Sequence, residues 1–62
     1  MQLTLESDEA RELRAVLAQY LSDLRMEIGR TDDRGTRQTL HRREAVLTRL
    51  IAQIDAQGAR AG

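Results

Sequence analysis

The chain has 62 residues, ten arginines balanced by ten acidic residues, and no cysteine, proline, tryptophan or phenylalanine. This length allows one domain at most, the missing cysteines exclude disulfides and thiolate metal sites, and no apolar run approaches the ~20 residues of a membrane span. The first residues lack the basic and apolar regions of a signal peptide, and we therefore expect a cytoplasmic protein.

The N-terminal segment alternates apolar and polar residues before it meets a run of acids, Glu6-Ser7-Asp8-Glu9. We expect residues 1–7 to form an extended arm that ends in a helix N-cap. Ser7 is the predicted cap, because its hydroxyl can accept from a free backbone N–H and the acids that follow suit the positive end of the helix dipole.

The first predicted helix covers residues 8–28. Its apolar residues recur at spacings of three and four, as one face of a helix requires, and they occupy three or four positions per heptad. A stripe of this width indicates a multi-helix bundle, because a two-stranded coiled coil needs only two positions per heptad. The stripe consists of Leu13, Val16, Leu17, Tyr20, Leu21, Leu24 and Ile28.

Residues 29–35 are the predicted turn. Gly29 suits the position just after a helix, where glycine adopts a left-handed conformation at little cost. Thr31, Asp32 and Asp33 are alternative N-caps for the next helix, and Thr36 is a later one, so the start of that helix stays open between Asp33 and Thr36.

The second predicted helix covers residues 36–57, with Gly58 ending it and a disordered tail at 58–62. Its apolar stripe consists of Leu40, Val46, Leu47, Leu50, Ile51 and Ile54. Two helices of similar length joined by a short turn pack antiparallel, so the predicted fold is an all-α hairpin. Two such helices touch along one seam and leave part of each stripe exposed, so we expect two hairpins to form a homodimeric four-helix bundle.

The two halves of the chain carry opposite charge. Residues 1–29 hold three arginines and six acids, a net charge of −3, whereas residues 30–62 hold seven arginines and four acids, a net charge of +3. This division favours packing of the acidic half against the basic half.

Two runs carry a resemblance to known proteins: Leu24-x-x-Glu27-Ile28-x-x-Thr31-Asp32, and Leu40-x-x-Arg43-Glu44-x-x-Leu47. Over about residues 13–54 the chain resembles a group of small uncharacterised bacterial helical-hairpin proteins. In size and layout it is also similar to the Rop-type RNA-binding hairpin dimers, without a residue-level match to them. The resemblance implies a helical hairpin and no particular activity.

Glu27 and Arg43 place charges at seam positions of the two stripes. One interpretation is a buried ion pair or a carboxylate that faces a ligand. The favoured one is that both lie near the turn end of the bundle, where Glu27 meets an arginine of either chain. Polar residues at such positions can also fix the register and number of partners, which is the role we assign to them as a hypothesis.

Metal binding and catalysis have little support in the sequence. His41 and Glu44 lie three apart, and Asp23 and Glu27 four apart, but the order is the reverse of the Glu-x-x-His of di-iron bundles. Tyr20, the sole aromatic residue, is interpreted as a ring at the core edge whose hydroxyl reaches water or a neighbour such as Glu44. No nucleophile–base pair or phosphate-binding glycine loop appears, so we expect no cofactor, no metal and no enzymatic activity.

The arginines after residue 29 are the remaining candidate site. A stripe of this kind can contact phosphates, although the chain is neutral overall and offers no exposed aromatic residue for stacking on bases. The candidate nucleic-acid contacts are Arg30, Arg34, Arg37, Arg42 and Arg49.

Three functions follow from these features. The first is a non-catalytic, self-associating interaction or assembly protein of unknown partner. The second is an RNA- or DNA-binding hairpin dimer. The third is an antitoxin-like or adaptor protein that pairs with a larger chain through the same apolar stripe.

Overall fold

The computed structural model describes the backbone of residues 4–61 and the side chains of residues 4–57. Two helices, α1 (Ser7–Arg30) and α2 (Arg34–Ala61), pack against each other as a hairpin that measures 43 × 21 × 15 Å. The predicted all-α hairpin is therefore confirmed. Neither helix in the described part of the chain contains an apolar stretch of the length that crossing a membrane requires.

Helix α1 begins one residue earlier than predicted. Glu6 is the N-cap, with extended backbone angles, and its N–H donates to the Glu9 carboxylate at 2.9 Å. A cap at Ser7 would place Ala10 at the position from which a side chain reaches back, and alanine has no acceptor. The spacing of Glu6 and Glu9 therefore fixes the helix start, and the prediction of Ser7 as the cap is wrong.

Helix α1 ends at Arg30, so Gly29 lies inside it and the predicted turn at 29–35 is too long. Thr31 ends the helix by turning to extended backbone, with φ −91° and ψ 123°. Its hydroxyl donates to the Glu27 carbonyl at 2.7 Å and its N–H to the Ile28 carbonyl at 3.3 Å. These bonds satisfy carbonyls that a helix end leaves free, so no left-handed glycine is needed, and none occurs in the described residues.

Helix α2 begins at Arg34 because Asp33 is its N-cap, one of the caps that the sequence left open. The Asp33 carboxylate accepts from the Thr36 N–H at 2.8 Å and from the Thr36 hydroxyl at 2.7 Å. These bonds lower the pKa of Asp33, with the hydroxyl bond contributing more than the backbone bond. The connection between the helices is thus residues 31–33.

At its other end α2 continues to Ala61 rather than ending at Gln57, so Gly58 does not end the helix. A glycine in a helix weakens it but does not by itself stop it. Of the predicted extended arm, residues 1–3 lie outside the described residues, as does Gly62 of the predicted tail.

The core of the hairpin is small and lies along one sector of each helix. It consists of Leu21, Leu24, Ile28, Leu40 and Leu47, with Leu17 and Ile51 packed against it. The buried sector of α1 is centred on the Leu21 and Ile28 flank of the predicted stripe rather than on Tyr20. A single partner helix covers only part of so wide a stripe, and the remainder stays exposed.

Candidate interaction surface

The hairpin has two broad sides with different chemistry. One side carries two ion pairs that join the helices. Arg14 binds Asp55 in a bidentate arrangement, at 2.6 Å from Nε and 3.2 Å from Nη2, and Arg25 Nε binds Glu44 at 2.9 Å. We call this the ion-pair side.

The spacing of these four residues explains why they meet. Arg14 and Arg25 are eleven residues apart, as are Glu44 and Asp55. Eleven residues are about three turns of an α-helix, so each pair shares one face of its helix. In both ion pairs the residue numbers add to 69, which records the register of the two antiparallel helices.

The ion pairs shift the pKa values of their members in the expected directions. The bond from Arg14 lowers the pKa of Asp55, and the same bond raises the pKa of Arg14. The pKa of Glu44 is lowered first by the bond from Arg25 and then by His41, whose Nδ1 lies 3.1 Å from the other carboxylate oxygen. All these groups are partly exposed, so they orient the helices more than they stabilise the fold.

The opposite side carries an exposed apolar patch, which we define as Val16, Tyr20, Val46 and Leu50. Their exposed fractions run from 36% for Leu50 to 62% for Val16. At 100° per residue, Val16 and Tyr20 lie at one edge of the buried sector of α1, whereas Arg14 and Arg25 lie at the other.

A cross-helix bond shows that the two halves of the patch share one side of the hairpin. The Arg43 guanidinium donates to the Tyr20 hydroxyl at 3.3 Å. Val46 and Leu50 follow Arg43 at spacings of three and seven, so they lie along the same face of α2. The predicted neighbour of the Tyr20 hydroxyl, Glu44, instead lies on the ion-pair side.

The predicted core residues divide into two groups. The buried or half-buried ones are Leu13, Leu17, Leu21, Leu24, Ile28, Leu40, Leu47, Ile51 and Ile54. The exposed ones are the four members of the apolar patch. The first group forms or borders the seam within the hairpin, whereas the second group has no such partner in the described chain.

The two polar residues of the predicted seam are both exposed. Arg43 binds Tyr20, and Glu27 makes no ion pair with any side chain in residues 4–57. The hairpin therefore does not bring Glu27 and Arg43 together as a buried pair.

The predicted nucleic-acid contacts are also exposed. Within residues 4–57, none of Arg30, Arg34, Arg37, Arg42 and Arg49 forms an ion pair. Helix α2 from residue 34 to residue 54 contains one acid, Glu44, and Arg25 of α1 already binds it. These arginines leave most of the length of α2 positively charged.

No group of side chains in the described part of the chain has the composition and proximity of a metal site. His41 pairs with Glu44 on the same helix, and Asp23 accepts from Gln19 at 3.2 Å. The surface also has an open depression beside Arg14, Leu21, Arg25 and Ile51.

Sequence reasoning missed the two ion pairs of the ion-pair side. The signal was available, because an arginine pair on one helix and an acid pair on the other share the same eleven-residue spacing.

A comparison of the chain with models of protein families, with curated proteins and with solved structures finds no match in any of the three. The likeness to small bacterial helical hairpins therefore stays a hypothesis.

Proposed function

We propose that this chain is a non-catalytic, self-associating hairpin, in which two copies pack through the apolar patch into a four-helix bundle that acts as an interaction or assembly module in the cytoplasm. The observation that carries the proposal is the patch itself. Four large apolar side chains lie together on one broad side of the hairpin, with at least a third of each exposed.

The energetic reason is that exposed apolar surface gains free energy when it leaves water. Contiguous patches of this kind on small proteins mark interaction surfaces. A chain of this length also buries a smaller share of its surface than a larger domain does, and within residues 4–57 five residues form the buried core. A second copy supplies the missing half of the core.

The size of the surface suits a stable dimer. One broad side of the hairpin, 43 × 21 Å, has a footprint of roughly 900 Å², and a typical stable interface buries about 800 Å² per partner. The patch lies along the centre of that side, with polar residues around it, which is the usual arrangement of apolar core and polar rim.

The test is the molar mass of the purified chain by light scattering and sedimentation over a dilution series from about 100 μM to 10 nM. We expect a dimer that dissociates on dilution and a melting temperature that rises with concentration, since association stabilises the folded state. A chain that is monomeric, compact and cooperative in melting at every concentration would refute the proposal.

A second candidate is nucleic-acid binding, favoured by the arginines of α2 that have no acidic partner in the described hairpin. Arg34, Arg42 and Arg49 could each contact a phosphate. Fluorescence anisotropy with labelled mixed-sequence RNA and DNA at 20 mM and 200 mM salt tests it. Binding that weakens steeply with salt would support this function, whereas no binding at 20 mM salt removes it.

A further inference from the structure

The charges that border the apolar patch carry information about how two copies meet. On α1, Asp23 lies seven residues after Val16 and Glu27 seven after Tyr20, so both share the face of the patch and form its acidic border toward the turn. Along its α2 edge, beyond Val46, lie Arg42 and Arg49, which are seven apart and likewise share one face. All four charged side chains are exposed, so the patch has one acidic and one basic border.

A two-fold dimer through this side has two simple antiparallel arrangements. If the two-fold axis runs parallel to the helices, both turns lie at the same end, and α1 of each copy packs on α2 of the other. If the axis crosses the helices at right angles, the turns lie at opposite ends, and each helix packs on its own counterpart.

The borders distinguish these arrangements. In the second arrangement the turn half of each helix meets the far half of its counterpart. Glu27 then lies near Glu9 of the partner subunit, which shares the face of Val16 because the two are seven residues apart, and Arg49, near the middle of α2, lies near its own copy. Like charges placed opposite each other at an interface disfavour it. In the first arrangement each acidic border meets a basic border at both edges of the interface.

The register of the first arrangement follows from the hairpin itself. A rotation about an axis parallel to the helices leaves every residue at its own height. Helix α1 of the partner therefore meets α2 at the register of the ion pairs Arg14–Asp55 and Arg25–Glu44, whose residue numbers add to 69. At that register position 42 is level with position 27.

We infer that the occupant of the apolar patch is a second copy of this chain with its turn at the same end, held in register by an ion pair between Arg42 and Glu27 of the partner subunit. Within residues 4–57 of one hairpin these two residues make no ion pair, and Arg42 lies on the side of α2 that points away from its own α1. The inference rests on the self-association proposed above and adds its orientation.

Spin labels at the turn measure this orientation directly. The chain has no native cysteine, so Asp32→Cys gives one label per copy at the exposed turn. With the turns at the same end, the thickness of 15 Å per hairpin sets an electron–electron distance of roughly 20–30 Å. With the turns at opposite ends, the hairpin length of 43 Å sets a distance above roughly 40 Å.

The ion pair is tested by exchange of its charges. Glu27→Arg alone, or Arg42→Glu alone, places like charges opposite each other twice in the dimer, and we expect the dissociation constant to rise at least about tenfold. The double variant restores opposite charges in this arrangement alone, and its dissociation constant is expected to return to within about threefold of the original. Circular dichroism of each variant verifies that the hairpin still forms.

The outcomes separate the two proposals. A dimer with short label distances and recovery in the double variant supports both. A dimer by light scattering with label distances above about 40 Å, or with no recovery in the double variant, overturns the orientation and leaves self-association intact. A monomer at all concentrations overturns both.

Discussion

Val46 gives the most direct test of the apolar patch. It is 46% exposed in the hairpin, and complete burial of a valine side chain contributes roughly 1.5–3 kcal/mol. Covering the exposed half in a dimer is therefore worth about 1 kcal/mol. A two-fold interface contains the residue twice, so Val46→Ser is expected to weaken the dimer by about 2 kcal/mol, or about thirtyfold in dissociation constant.

Serine is chosen because its helix propensity is close to that of valine, so that the variant tests burial rather than helix formation. Met26→Ser is the matched control. Met26 is 55% exposed, but it lies on the outward face of α1, about 80° around the helix from Val16, between Arg25 on one flank and Glu27 on the other. Sedimentation equilibrium at several concentrations gives the dissociation constants of both variants and the unchanged chain.

We expect Met26→Ser to keep the dissociation constant within about threefold of the original value, because the Met26 side chain stays exposed to water in the dimer. An equal weakening by both substitutions would mean that association is non-specific. No weakening by Val46→Ser would mean that the exposed apolar patch is not the interface.

Four further predictions concern the hairpin itself. Leu24 is 2% exposed, so Leu24→Ala is expected to lower the free energy of unfolding by about 2–5 kcal/mol, measured by urea denaturation. Gly29→Ala is expected to add about 0.5–1 kcal/mol in the same assay, because the position is helical and an added Cβ meets nothing within 4 Å. Asp33→Ala is expected to lower the melting temperature by a few degrees, whereas Asp33→Asn keeps most of the cap. The carboxylates of Glu44 and Asp55 have lowered pKa values, so they stabilise the fold above their ordinary pKa of about 4, and melting temperature is expected to fall between about pH 5 and pH 2.

Each of these has a clear contrary result. A loss below 1 kcal/mol at Leu24 would mean that the seam is not packed there. A destabilising Gly29→Ala would place the glycine in a left-handed turn after all. Equal melting temperatures for Asp33→Ala and Asp33→Asn would show that the Asp33 side chain does not stabilise the helix start. A melting temperature that stays constant from pH 5 to pH 2 would show that the bonds of Glu44 and Asp55 do not stabilise the fold.

The helical parts of this fold could be predicted because their signals are local. The three-and-four spacing of the leucines and the absence of proline specify two helices, and Asp33 with Thr36 at the third helical position specifies an N-cap. A hairpin follows once two helices of similar length are joined by a short segment. Each of these features depends on residues within about one turn of one another.

The errors arise where two local signals compete. Gly29 is a good residue after a helix end, but the Thr31 side chain and backbone satisfy the free carbonyls two residues later, so the helix continues through the glycine. Ser7 is a good cap by residue type, but the Glu9 carboxylate accepts a hydrogen bond from the Glu6 N–H, which makes Glu6 the cap. Residue preferences alone do not rank such alternatives, because the ranking depends on which hydrogen bonds form together.

The division of the apolar stripe into buried and exposed parts depends on contacts between the helices. Periodicity treats Tyr20 and Leu21 alike as members of one stripe, yet Leu21 is buried and Tyr20 is exposed. The rotation of α1 about its own axis relative to α2 decides which of the two is buried. The ion pairs Arg14–Asp55 and Arg25–Glu44 help to fix that rotation. The matching spacing could have indicated this rotation, because two arginines three turns apart on α1 can both meet two acids three turns apart on α2 only if these residues lie on the same side of the hairpin.

The same ion pairs would limit how far the proposed association can proceed. A hairpin with an exposed apolar patch on both broad sides could bind a further copy on each side and form an open-ended assembly. Here one side carries the two cross-helix ion pairs, and burial of that side would require their desolvation without a new partner. Of the two sides described, we therefore expect the patch side to be the one that gains free energy on contact. A contact that uses the same patch on both copies closes after two, so the asymmetry between the two sides predicts a discrete dimer rather than an open stack of hairpins.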